Sequence, residues 1–155
     1  MALFTKFTQK PGRKSDLSYT PESDYEAWIG ILYACVSADG DDSDAEIESL
    51  SRMIAFKQKF SRIDILPLYE KVEKIAEEIG GKQLVESCAK MVEKGDKSTL
   101  FAMAVEIVLA DGVLADEEEK IIEFIAQELE IASELVDKIV EVMLIRNKGN
   151  VIVLN

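Results

Sequence analysis

Two stretches of this chain gather carboxylates at a spacing that can do chemistry, and they are one pattern written twice. Ala38-Asp39-Gly40-Asp41-Asp42-Ser43-Asp44-Ala45-Glu46 and, 72 positions on, Ala110-Asp111-Gly112-Val113-Leu114-Ala115-Asp116-Glu117-Glu118 both read A-D-G-x-x-x-D-x-E. Asp39, Asp44 and Glu46 in the first turn, and Asp111, Asp116 and Glu118 in the second, are hard oxygen donors of the kind that suit Ca²⁺, Mg²⁺ or Mn²⁺. If the fold sets the two turns side by side, six or more carboxylates meet, and their repulsion costs stability unless a cation neutralises it.

The chain has no histidine. That removes Ser-His-Asp and Cys-His catalysis, His-ligated zinc and the Glu-x-x-His di-iron arrangement. Paired carboxylates can in principle do acid/base work. Nothing, however, supplies a nucleophile with a base beside it, a phosphate-cradling glycine loop or a cofactor fingerprint. A protein without enzymatic activity is expected.

The nearest metal-binding pattern is the calcium-binding EF-hand loop, and only its second half is present. Asp39-Gly40 with Glu46, and Asp111-Gly112 with Glu118, match loop positions 5, 6 and 12. Positions 1 and 3 fall on Cys35 and Ser37 in one copy and on Ile107 and Leu109 in the other. Three of these four side chains offer no hard oxygen, and the preceding residues read as helix, so the backbone does not wrap an ion in that way. Two readings of the acids stand side by side. They form a looser cation site, or they are helix caps: Asp before Gly is ordinary turn chemistry, and acids in a first helical turn complement exposed N–H groups and the helix dipole.

The elements that carry these turns are helical. Thr20-Pro21 is a helix start, a hydroxyl cap followed by proline at the first helical position. Tyr25, Trp28, Ile29, Leu32, Tyr33 and Val36 then form one apolar face at spacings of three and four, and Gly40 ends the helix. Trp28 with Tyr25 and Tyr33 can line a partner groove, core packing being the ordinary fate of such side chains. The next helix opens at Ser43 or Asp44, with Ser43-x-x-Glu46 as a capping box and Ile47, Leu50, Met53 and Ile54 as its stripe. Residues Phe56 to Ile65 hold either one more helix or an irregular link.

Pro67 starts a helix carrying Leu68, Val72, Ile75 and Ile79, stopped by Gly80-Gly81. A shorter helix carries Leu84, Val85, Cys88, Met91 and Val92 and closes near Gly95. Ser98 caps the next, with Leu100, Phe101, Ala104, Ile107 and Val108 buried. Asp116-x-x-Glu119 is a capping box for a helix with Ile121, Ile122, Ile125 and Leu129. Ser133 caps the last helix, carrying Leu135, Val136, Ile139, Val142 and Met143 and ended by Gly149. No stretch alternates with period two. The expected fold is all-α: about seven helices in one compact domain, with each acidic turn joining a helix–turn–helix hairpin. Residues 1–20 form a loosely packed arm pinned by Phe4 and Phe7, 21–146 the helical domain, and 147–155 a tail whose Val151-Ile152-Val153-Leu154 packs on the body.

Bulk properties narrow the partners. A chain of 155 residues can bury about 68–70% of its unfolded surface without a disulfide or structural metal. Cys35 and Cys88 sit on apolar stripes and read as buried free thiols. The net charge of −12, from 30 acidic and 18 basic residues, repels phosphate backbones, so cations and proteins are the expected partners and nucleic acid is not. No stretch approaches the ~20 apolar residues of a membrane span, and Met1 to Lys10 lacks a signal-peptide core, so a cytoplasmic protein without direct membrane insertion is expected.

The paired A-D-G-x-x-x-D-x-E turn inside an all-helical domain of this size resembles the TerB-like (tellurite-resistance B) family, which also supplies the N-terminal domain of membrane-anchored DnaJ-like co-chaperones. The resemblance runs from about Tyr25 to Met143. It implies an all-α domain of about seven helices, association with tellurite resistance and stress response, and an interaction module that binds metal through Asp39, Asp44, Glu46, Asp111, Asp116 and Glu118. The second turn departs from the first in carrying Val113 and Leu114 where the first has Asp41 and Asp42. Without histidine the chain holds no His-Pro-Asp sequence, so the co-chaperone activity is not implied here.

Overall fold

Ala27 to Val36 contains no charged side chain, and a helix that is apolar on every side must be surrounded. That requirement organises the fold. The computed structural model describes residues 18–38, 44–110 and 113–150, with 44–46 as backbone only. Helix α1 (Asp24–Val36) is buried at every position from Glu26 onward. Around it pack α2 (Asp44–Ala55), α3 (Ile65–Ile79), α4 (Gly81–Ala89), α5 (Lys97–Val108) and α6 (Asp116–Glu128), and α7 (Ser133–Asn147) lies against α5. Seven α-helices and no strand are present among the described residues, which bears out the all-α expectation. The one-sided stripe expected for α1 is corrected: both of its faces are core, because five helices enclose it.

Several helix ends differ from those the sequence predicts, and at two of them, α1 and α3, a different side chain does the capping. Helix α1 starts after Ser23, whose hydroxyl accepts the Glu26 N–H at 3.2 Å, three residues past the Thr20-Pro21 signal. Helix α3 is capped by Asp64, which accepts from the Leu66 N–H, and Pro67 occupies its third position, where no intrahelical donor is needed. Helix α4 ends at Ala89, short of Met91 and Val92. Helix α5 follows a 3₁₀ turn over Lys94–Asp96, and α7 follows Ala132, so Ser98 and Ser133 lie inside their helices instead of capping them. Gly80 joins α3 directly to α4 at φ 83°, a left-handed conformation that only glycine adopts cheaply.

Of the two options for 56–65, the irregular link is found. Gln58–Phe60 is a single 3₁₀ turn that drives Phe60 into the core, edge-on to Tyr25 at 5.4 Å and Trp28 at 5.9 Å. Lys59 leans over the Tyr25 ring and pairs with Asp24 at 2.6 Å. Trp28 and Tyr33 are buried, and Tyr25 is partly so, packed against the core. Both cysteines are free and buried. Residues 1–17 of the arm, with Phe4 and Phe7, the Gly40 stop, the Ser43 cap and the Val151–Leu154 tail lie outside the described residues, while Tyr19 at the arm's end packs against the core.

Candidate functional site

The two acidic turns leave their helices in the same way. Ser37 and Leu109, 72 residues apart, cap α1 and α5 with φ/ψ of −95°/4° and −100°/14°. Each donates its N–H four residues back, to Tyr33 O and Val105 O, both at 3.0 Å. The next residues, Ala38 and Ala110, donate to Cys35 O at 3.4 Å and Ile107 O at 3.3 Å. The turns also end alike, since Asp44 and Asp116 are each the first residue of the following helix. The repeated sequence therefore leaves one helix and enters the next in the same way in both copies. Cys35 and Ile107 are helical and, with Leu109, buried, which leaves no room for the first half of an EF-hand loop.

Of the six predicted ligands, Asp39 and Asp111 lie outside the described residues, as do the side chains of Asp44 and Glu46. The backbone places Asp44 and Glu46 at the first and third positions of α2, and Asp116 and Glu118 at the matching positions of α6. Asp116 is exposed. Glu118 is buried and accepts the Ala115 N–H through Oε1 at 3.1 Å. The capping box expected from Asp116 to Glu119 is thus shifted by one residue: Ala115 is the cap and Glu118 the reaching acid. Alanine has no side-chain acceptor, so only that returning bond forms. Glu117, beside it, is held below the usual carboxylate range by a hydrogen bond from its own backbone N–H, as an acid at a helix start should be. Among the described residues no group of three or more acids and cysteines stands close enough to hold a metal ion.

The second turn has two anchors that the sequence reading missed. Leu114, at a position where the first turn has Asp42, packs against the core, whereas Val113 is exposed. Asn150 donates through Nδ2 to the Ala110 carbonyl at 3.0 Å and to Asn147 Oδ1 at 2.7 Å, and Asn147 in turn donates to Met143 O at 2.9 Å. The end of α7 therefore clamps the entrance of the second acidic turn. The only signal was the Asn147 position, four residues beyond Met143 on the inward face of α7. Asn150→Ala is expected to cost about 0.5–1.5 kcal/mol. Its amide hydrogen exchange should quicken severalfold at Ala110 and stay unchanged at Ala38.

A second polar cluster lies within the body. Glu26, 1% exposed, accepts from the Tyr19 hydroxyl at 2.5 Å and pairs with Lys71 at 3.0 Å, and Lys71 also binds Glu22. Burial, and then the nearby Glu26 carboxylate, push the Cys88 thiol well above its ordinary range. Burial likewise raises the Tyr19 hydroxyl. Protonated and enclosed, Cys88 is a packing residue and not a nucleophile.

Among the described residues no helix is long and apolar enough to cross a membrane. Compared with known families, the chain is matched over residues 25–140 by the family model described as tellurite resistance protein TerB. No curated protein and no solved structure matches it.

Proposed function

Because the chain belongs to the TerB family of tellurite-resistance proteins, we propose that it is a non-enzymatic stress-response protein of the cytoplasm that takes up a hard divalent cation at its acidic turns. The ligands are Asp39, Asp44 and Glu46 with Asp111, Asp116 and Glu118, and Ca²⁺, Mg²⁺ and Mn²⁺ are the ions their oxygens favour. The observation that carries this reading is the repeated helix exit and helix start on either side of the acids. Two turns 72 residues apart keep the same exit hydrogen bonds and the same helix starts around the same acids. A bound cation would offset the repulsion of acids crowded on a chain of net charge −12.

A second reading has its own observation. Glu118 turns back onto the Ala115 N–H, which is what a helix-capping acid does. On that reading the protein is an acidic helical module for protein partners, with no ion of its own.

Thermal unfolding of chelator-stripped protein separates the two. A cation that binds only the native state at a hundred times its dissociation constant adds about 2.7 kcal/mol. For a chain of this length that is a rise of roughly 5–10 °C. The rise is expected with at least one of Ca²⁺, Mg²⁺ and Mn²⁺ and should vanish in the Asp39→Asn/Asp111→Asn variant. No shift with any ion at millimolar concentration, or a shift the variant keeps, leaves the acids as caps.

A further inference from the structure

Helix α7 has two apolar faces. Val136, Ile139, Val140 and Met143 turn onto the core. Leu135, Val142 and Ile145 point the other way, 37%, 58% and 71% exposed. Counted at 3.6 residues per turn, these three fall with exposed Lys138 in an arc of about 80°. The outer face is thus an apolar stripe carrying Lys138, with exposed Glu134 and Glu141 along the Ile145 edge and exposed Arg146 along the Leu135 edge.

We propose that this stripe is a self-association surface, on which α7 of a second copy lies antiparallel about a two-fold axis. The charge pattern selects a second copy as the occupant. When the pair is centred on Val140, Leu135 of one copy lies level with Ile145 of the other, on opposite edges of the contact, with Val142 between them. Lys138 lies opposite the partner's Glu141, on the same edge of the stripe. The two-fold repeats this ion pair, so a single stripe is complementary to itself. Antiparallel helices also oppose their dipoles favourably. One helix face buries less than the roughly 1,200 Å² of a standard interface, so the dimer is weak and transient. The net charge of −12 works against it at long range and is screened at physiological salt.

Sedimentation equilibrium of the full chain, from about 10 µM to about 1 mM, covers the range in which such a contact associates. The wild type is expected to dimerise reversibly. Lys138→Glu alone and Glu141→Lys alone each set like charges against one another twice, and each should weaken association by about tenfold or more. Mixing the two variants should restore dimers, because every contact between 138 and 141 in the mixed pair is again of opposite sign. The double variant should dimerise like the wild type. Circular dichroism melts report whether each variant is folded; both positions are exposed. A wild type that stays monomeric over the whole range overturns the proposal. So does a dimer that the single swaps leave intact, or an association that mixing fails to restore, including the case in which another segment of the chain covers the stripe.

Discussion

Lys71→Met is expected to destabilise the fold by about 3 kcal/mol, a fall of roughly 6–12 °C in the unfolding midpoint. The reason is Glu26. Glu26 is 1% exposed in the first turn of α1, and its carboxylate has two described partners, the Lys71 ammonium at 3.0 Å and the Tyr19 hydroxyl at 2.5 Å. Removing the cation leaves a buried charge with one neutral donor, which costs far more than the pair contributes when whole. The loss falls below the upper end for buried pairs because the Lys71 side chain is 38% exposed and water can take part of its place. The Glu26→Leu/Lys71→Met variant removes both charges and should recover most of the loss, since an apolar pair of similar volume is tolerated where half an ion pair is not. Chemical denaturation of the three proteins measures this. Equal losses in the single and double variants would mean that packing of the lysine stem, and not the buried charge, carries the effect.

Gly30→Ala is the second large effect, in the opposite sense of filling space. Gly30 lies in α1 where α4 passes closest, and a Cβ there would stand closer to Cys88 Sγ than real Cβ contacts come, with Leu84 Cδ1 at 3.5 Å beyond it. Alanine in a helix interior normally gains about 1 kcal/mol over glycine. Here the gain is outweighed, because Cys88 is buried and held among Leu84, Tyr19 and Glu26 and cannot swing clear without displacing core atoms. A net loss of about 1–3 kcal/mol is expected, as for overpacked cores. Cys88→Ala in the same chain should return much of it, and the coupling energy from the double-mutant cycle is the readout. Additive losses would show that the two residues do not share the space.

These two sites and the acidic turns have different origins. The helices follow from local spacing: Leu50 and Ile54, Val72 and Ile79, Leu84 and Cys88, and Ile121, Ile122 and Ile125 are buried where a 3.6-residue period puts them. The paired turn was legible for the same reason, because its exit and entry are made by hydrogen bonds no more than four residues long. The family model matches a stretch that contains both turns. Helix starts were less legible. Thr20 and Ser23, or Ala115 and Asp116, compete as caps over differences of about 2 kcal/mol or less, and packing of the helix body decides between them.

The tertiary structure alone decided which groups meet across long stretches of chain. The uncharged run from Ala27 to Val36 requires that α1 be enclosed, but nothing in it says which five helices do so. Nor did spacing relate Lys71 to Glu26, Gly30 to Cys88 or Asn150 to Ala110, pairs that lie 40 or more residues apart. The local code selects each helix and its cap. Their order around α1 is selected by which apolar faces fit together, and that sum over distant contacts is where the buried acid, the glycine contact and the asparagine clamp arise.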